Sequence, residues 1–338
     1  MSYTAHPSTM QPADVRAHAR QNQMVTTAGF ADGYMQANLL AVPQDYAFDF
    51  LLFAQRNPKS CPIVGVLEAG QYSSELLAGG DIRTDIPGYR IFRDGELTDS
   101  VEDATEFWAE DMVTFLIGCS FTFESALQEN GITLAHIEQG RNVSMYRTNI
   151  PTTPAGIFSG PLVVSMRPIP ASQVADAVRI TSRYPSVHGA PVHVGNPKDI
   201  GISDLSRPDF GDAVDIPEGH IPVFWACGVT PQAVVMNSKP RLAITHQPGK
   251  MLVTDARDVD YQVPKPGLRL RLQLPLQLLR PTARFGPIAW VSLVGFLYEW
   301  SCRKIWLTGP FTPQRDPTYG TKPQWGQGSR PAKPPQAR

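Results

Sequence analysis

Hydrophobic residues in this chain gather in short bursts between proline- and glycine-rich breaks, and no single period runs through it. Residues 14–28 (DVRAHARQNQMVTTA) predict a polar helix with Asp14 as its cap. GFADGYMQANLLAVP follows, with glycines at 29 and 33 and a stop at Pro43. In QDYAFDFLLFAQRNP, Tyr46, Phe50 and Phe53 share one face at helical spacing, and Asn57-Pro58 ends the run. CPIVGVLEAG fits a buried strand and a turn. Within 81–97, Tyr89 and Ile91 alternate with Arg90 and Phe92, and Asp94-Gly95 signals a hairpin.

The centre is the most patterned part. MVTFLIG (112–118) is a continuous apolar run suited to a buried strand, and FTFESALQEN (121–130) suits a helix closed by Gly131. Strands are expected over 143–150 and 161–170, the latter reaching Pro168, and a helix over 172–185. That helix takes Ser172 as cap and turns Val174, Ala177, Val178 and Ile180 inward. After a turn-rich region, HIPVFWACGVTPQ and LAITHQPGKMLVTD supply two further strands ending in polar turns. Strands and helices mix without a βαβ rhythm, which predicts an α+β fold of mixed β-sheets with flanking helices, as one large domain or two lobes. No internal repeat is visible.

Charge divides the chain in two. Of 30 Lys+Arg and 31 Asp+Glu, the segment after Val263 holds 12 basic and two acidic residues, leaving 18 and 29 in the body. The body is therefore acidic, which argues against a nucleic-acid partner, because phosphate neutralisation needs clustered cations. The organisation expected is a flexible segment over 1–22, a domain over 23–263 and a basic, Pro-rich, low-complexity tail over 264–338 with little to bury. Cys61, Cys119, Cys227 and Cys302 form no C-x-x-C pair, so a reduced, cytoplasmic setting fits, with a mitochondrial one left open. The start has no secretory pattern, and the longest uncharged apolar run, Phe285 to Tyr298, is short of the ~18 residues a membrane span needs.

Candidate chemistry sits at turns. Cys119 lies where a buried strand gives way to a helix, so free N–H groups and a positive dipole end can lower its thiol pKa or hold an anion. The competing reading is a buried, inert thiol. Ser120 caps the helix or joins the site, and Glu124 one turn on faces the cleft or water. Arg147, Arg167 and Arg183 lie at ends of apolar elements, where guanidinium groups suit bidentate capture of carboxylates or internal ion pairs. His188 and His193 fall on opposite faces of a regular strand, and only the Gly189-Ala190-Pro191 bend could join them. With Asp204, Asp209 and Asp212 they match no standard zinc spacing, so acid/base use of one histidine competes with a metal site. Cys227, Thr230 and His246 mark two more strand-to-turn junctions.

Taken together, GFADGYMQANL, NPKSCPIVGV, DIRTDIPGYRIFRDG, FLIGCSFTFE, MYRTNIP, GPLVVSMRP, TSRYPSVHGAPVHVG, DLSRPDFGD, PVFWACGVTPQ and HQPGKMLVTD resemble the D-glutamate cyclase family of hydro-lyases. The resemblance runs in order from Gln23 to Asp255 and ends there, leaving the tail as a lineage-specific extension or translated non-coding sequence. It implies conversion of D-glutamate to 5-oxo-D-proline and water, with no cofactor, no metal and a small amino acid as the molecule bound. A homo-oligomer is compatible with it. The chemistry needs a guanidinium clamp, oxyanion donors and an acid/base pair. Arg147, Arg167, the Gly118–Ser120 turn and His188 or His193 are the expected occupants, with Glu124 as a further catalytic group and Arg183 and Thr230 as further substrate-binding residues. In one variant Cys119 first forms a γ-glutamyl thioester. Two other readings stay open: a hydro-lyase acting on another small carboxylate, and a non-catalytic binder of 5-oxoproline or glutamate that regulates a partner.

Overall fold

The protein was analysed as a computed structural model that describes residues 6–22 and 24–263. The tail and the run 285–298 lie outside the described residues. Among the described residues the strands are β1 (Tyr34–Pro43), β2 (Ile63–Leu67), β3 (Tyr89–Arg93), β4 (Glu96–Val101), β5 (Met112–Gly118), β6 (Ser144–Pro151), β7 (Pro161–Pro170), β8 (His193–Val194), β9 (His220–Ala226), β10 (Ala243–His246) and β11 (Leu252–Arg257). The helices are α1 (Pro12–Arg20), α2 (Gln44–Arg56), α3 (Glu124–Glu129), α4 (Ala135–Glu138), α5 (Val174–Thr181) and α6 (Thr230–Ser238). None of these helices is long and apolar enough to cross a membrane.

The fold class is α+β. Seven strands form one sheet in the order β2-β5-β1-β10-β3-β4, with β11 also on β1, and four form a second in the order β6-β7-β9-β8. Every pairing is antiparallel. β1 is the axis of the first sheet: it pairs β5 along one edge and shares the other between β10 and β11. Its sequence shows no alternation because nine of its ten positions are buried, on both faces. One face packs Leu39, Ala41, Tyr89, Ile91, Leu116 and Ile244 together. The other seats Leu40, Phe92, Phe115 and Ile117 against Phe50 and Phe53 of α2 and Val234 and Val235 of α6. In the second sheet, one face of β7 and β9 packs Trp225 and Val223 against Phe123 and Leu127 near α3 and Ala177 and Ile180 of α5.

Several boundaries differ from the sequence expectation, each for a local reason. The first helix starts at Pro12, whose fixed φ suits a first turn, with Gln11 rather than Asp14 at the cap position. It is also fastened to the body: Arg16 donates to the Val253 carbonyl at 3.0 Å and to Asp255 at 3.0 Å, so the first 22 residues include a docked helix. The expected 121–130 helix is a 3₁₀ turn, Ser120–Phe123, followed by the short α3. Ser172 lies in the 3₁₀ turn Ala171–Gln173, and the helix after it stops at Thr181, before Pro185. The polar turn after β9 is the start of α6, announced by the Thr-Pro pair. Residues 242–255 make two strands, split by a turn that Gly249 permits at φ 87°. The Asp94-Gly95 hairpin forms as expected, with φ of 51° and 80°.

One close approach positions everything that follows. A Cβ at Gly118 would lie 2.1 Å from the Ser186 carbonyl oxygen, so the end of β5 and the 185–187 turn touch backbone to backbone. Gly118→Ala should therefore destabilise the protein by about 1–3 kcal/mol, as overpacking against a backbone atom does. Urea unfolding measures this, and an unchanged midpoint would mean the two segments separate freely.

Candidate functional site

The ends of β5 and β9 meet at the junction of the two sheets, and each ends in a cysteine beside a glycine: Gly118-Cys119-Ser120 and Cys227-Gly228-Val229. Asn38 on β1 holds them together. Its Nδ2 donates to the carbonyls of Gly118 at 2.9 Å and Ile117 at 3.3 Å. A Cβ at Gly228 would fall 1.9 Å from that same nitrogen, so glycine is needed there for space. Thr230 closes the second turn, its hydroxyl donating to the Cys227 carbonyl at 2.7 Å and accepting from the Val163 amide at 3.1 Å. Cys119, Cys227, Phe121 and Phe210 pack together between the turns, each almost wholly buried.

Beside this cluster lies a buried ion pair. Arg167 of β7 is fully buried and donates through Nε to Glu124 Oε1 at 2.8 Å; its Nη2 contacts the same oxygen. Nη1 donates to Ser165 at 3.0 Å and Nη2 to Ser120 at 3.0 Å. The guanidinium carbon sits 5.5 Å from the ring centres of Phe123 and Trp225, so aromatic faces close the remaining sides. His136 Nε2 lies 3.3 Å from Glu124 Oε1 but off the hydrogen-bond direction. Burial alone would raise the Glu124 pKa. His136 and Arg167 outweigh it and hold the carboxyl below the usual range, so it is ionised at neutral pH.

Of the two readings of Cys119, burial favours the buried, protonated thiol. Burial pushes Cys119 up to about 12 and Cys227 up to about 11, although the Phe121 and Val229 amides face the two sulfurs. The expected helix-dipole activation fails because the element after Cys119 is a 3₁₀ turn and a six-residue helix, and desolvation of a thiolate is the larger effect. Two histidines are likewise buried. His188, at a left-handed φ of 81°, bonds the Lys59 carbonyl through Nδ1 at 2.9 Å, which requires a proton on Nδ1 and leaves Nε2 unprotonated. Its Nε2 has no hydrogen-bond partner in the protein. His246 accepts the Leu39 amide at Nδ1, 3.1 Å away. Burial lowers both imidazoles to about 4, so both are neutral at physiological pH.

Of the residues expected in a site, the fold gathers Cys119, Ser120, Glu124, Arg167, His188 and Thr230 around this junction. His193 lies apart: it begins β8, bonds the Asn196 carbonyl at 2.8 Å and packs 5.7 Å from the Phe224 ring. Arg147 is exposed, rides 5.5 Å from the Phe210 ring and pairs with Asp209 at 3.8 Å. Arg183 donates to Gln262 at 2.8 Å. Asp204, Asp209 and Asp212 cap loop amides at Ser206, Arg147 and Asn142 rather than converging with the histidines. No group of three or more His, Cys, Asp or Glu suited to a metal occurs among the described residues. Sequence reasoning missed Asn38 and His136 and gave little weight to Cys227. The paired cysteine-glycine strand ends were the available signal for the last.

Comparison with known proteins gives the family and, with it, the lyase class. Residues 113–255 match the family described as D-glutamate cyclase. "Putative hydro-lyase cu1581" of Corynebacterium urealyticum is 71% identical over 264 residues, 78% of this chain and 100% of the relative. "Putative hydro-lyase jk0403" of Corynebacterium jeikeium is 66% identical, covering 78% of this chain and 97% of its own. A "Putative hydro-lyase" of Mycolicibacterium gilvum is 64% identical over 75% and 97% of the two chains. The chain belongs to the D-glutamate cyclase family.

The buried histidines set a pH dependence. Each has a folded pKa of about 4 against an ordinary 6.5, so the unfolded chain binds more protons between these values. Stability should fall as pH drops from about 6.5 towards 4, by up to about 1.4 kcal/mol per pH unit for each histidine. His188→Asn, an exchange that tolerates the left-handed backbone, should flatten that slope in chemical unfolding at stepped pH. An unaltered slope would show that His188 titrates normally in the folded protein.

Proposed function

We propose that this protein converts D-glutamate to 5-oxo-D-proline and water, the α-amine attacking the γ-carboxyl carbon of the same molecule. Membership in the D-glutamate cyclase family and the hydro-lyase naming of its relatives support the reaction class. The observation that carries the site assignment is the convergence of Ser120, Glu124 and His188 on the Gly118–Ser120 turn, with Arg167 fixing the first two.

In this reading the C–N bond forms as the γ C–O bond breaks, and two protons pass from the α-ammonium to the departing carboxylate oxygen, which leaves as water. A base that is neutral at physiological pH and has a free ring nitrogen can take the first proton and return it to the leaving group. His188 has both properties, with Nε2 unbonded. The Ser120 amide and hydroxyl are the donors for the tetrahedral oxyanion, since the Gly118 and Cys119 amides already donate to the Pro62 and Gln36 carbonyls. Glu124 stays ionised and positions Arg167 rather than exchanging protons. Confining both ends of one substrate captures an intramolecular advantage of up to about 7–11 kcal/mol in well-oriented cases. Direct attack is favoured over a γ-glutamyl thioester, because a thiol titrating at about 12 is protonated and weakly nucleophilic.

Incubation with D- and L-glutamate, followed by loss of primary amine, tests the reaction. Turnover of the D-enantiomer is expected, whereas thermal stabilisation by D-glutamate without turnover would make the protein a binder instead. His188→Asn should lower kcat by about 10²–10⁴-fold. Cys119→Ser should keep most of the activity, and abolished turnover with a trapped acyl-enzyme in the native protein would establish the thioester route.

A further inference from the structure

Beside the Cys119–Cys227 cluster, at Phe210, lies a second arginine that the family resemblance did not bring forward. Arg90 lies on β3, opposite Thr245 of β10, and its guanidinium reaches the Phe210 ring, 6.0 Å from the centroid. The protein gives it one hydrogen bond, from Nη1 to Gln232 Oε1 at 3.3 Å. Gln232 is itself fixed, because its Nε2 donates to the His246 carbonyl at 2.8 Å, which turns its oxygen towards Arg90.

The fully buried arginines, Arg16 and Arg167, each face a carboxylate: Asp255 at 3.0 Å for the first, Glu124 for the second. Arg90 is half-buried, yet none of the ion pairs among the described residues includes it. Taking a guanidinium partly out of water without an anion is unfavourable, and an anionic ligand would offset that cost. Burial, with no acidic neighbour to offset it, lowers the proton affinity of Arg90, and its charge in turn depresses His246. Arg167 cannot take this role without giving up Glu124, Ser120 and Ser165, whereas Arg90 presents most of its donors free.

We infer that Arg90, aimed by Gln232 and seated on Phe210, is a carboxylate-anchoring residue, taking the α-carboxylate of a small dicarboxylic amino acid. This rests on the proposed reaction for the identity of the ligand but on the unpaired guanidinium for the place it binds. With the α-carboxylate held at Arg90, the other end of the ligand is left for the Cys119–Ser120 turn.

Glutarate, a five-carbon dicarboxylate with no amine to cyclise, is the probe. Calorimetry on the full chain should show glutarate binding, with glutaramide, its neutral diamide, not binding. Arg90→Gln should weaken glutarate binding about 10- to 100-fold, the value of a charged hydrogen bond, without lowering the melting temperature, since it removes an uncompensated charge. If that variant cannot be purified, Arg90→Lys serves, expected to bind about tenfold more weakly because an ammonium cannot make the paired contact. Unchanged glutarate affinity in either variant, or no glutarate binding by the native chain, overturns the inference. Failure of the proposed reaction reads out separately, as absence of D-glutamate turnover by a native chain that still binds glutarate through Arg90.

Discussion

The Arg167–Glu124 pair is the constraint on which the site is built. It joins a strand of the second sheet to the short helix that follows the central run of the first, and Ser120 and Ser165 complete its hydrogen bonds from both sides. Desolvating two charges is unfavourable by several kcal/mol per ion, so such a pair persists only where geometry and further hydrogen bonds offset it. Here the aromatic faces of Phe123 and Trp225 exclude water and the serines satisfy the remaining donors. The pair fixes the Ser120 hydroxyl and, with it, the direction in which the chain leaves β5.

A second consequence is electrostatic. The junction contains an ionised carboxylate and a cation that neutralise one another, two protonated thiols and two neutral imidazoles. Arg167 and His136 both face that one carboxylate, at the centre of an acidic body. An anionic substrate gains no general pull from the protein, and a specific cation has to supply its attraction. Arg90 is the group whose charge is not already spent inside the protein.

Strands with one apolar character throughout, such as Met112–Gly118, and hairpins with Asp94-Gly95 were legible because their signals are local. β1 was not, because a strand buried on both faces loses the alternation that identifies it, and Gln36 and Asn38 within it look like loop residues until the fold surrounds them. The Cys119 turn was legible, but the choice between an activated and a buried thiol was not: the decisive quantity is burial, which depends on the distant Ser186, Asn38 and Phe210. Arg90 and Arg167 are indistinguishable in sequence, each an arginine at an apolar strand, and only tertiary contacts show that one is consumed by Glu124 and the other is not. The family resemblance was visible in long motifs, yet it assigned no residue its partner.

The central claim is that Arg167 and Glu124 act as one unit. A double-mutant cycle with Arg167→Met and Glu124→Leu, read by urea unfolding near pH 7, tests it most directly. Each single change should destabilise by about 3–5 kcal/mol, because it strands the other charge. The double change should cost much less than their sum, with a coupling of at least about 2 kcal/mol. Additivity within about 0.5 kcal/mol would contradict the account.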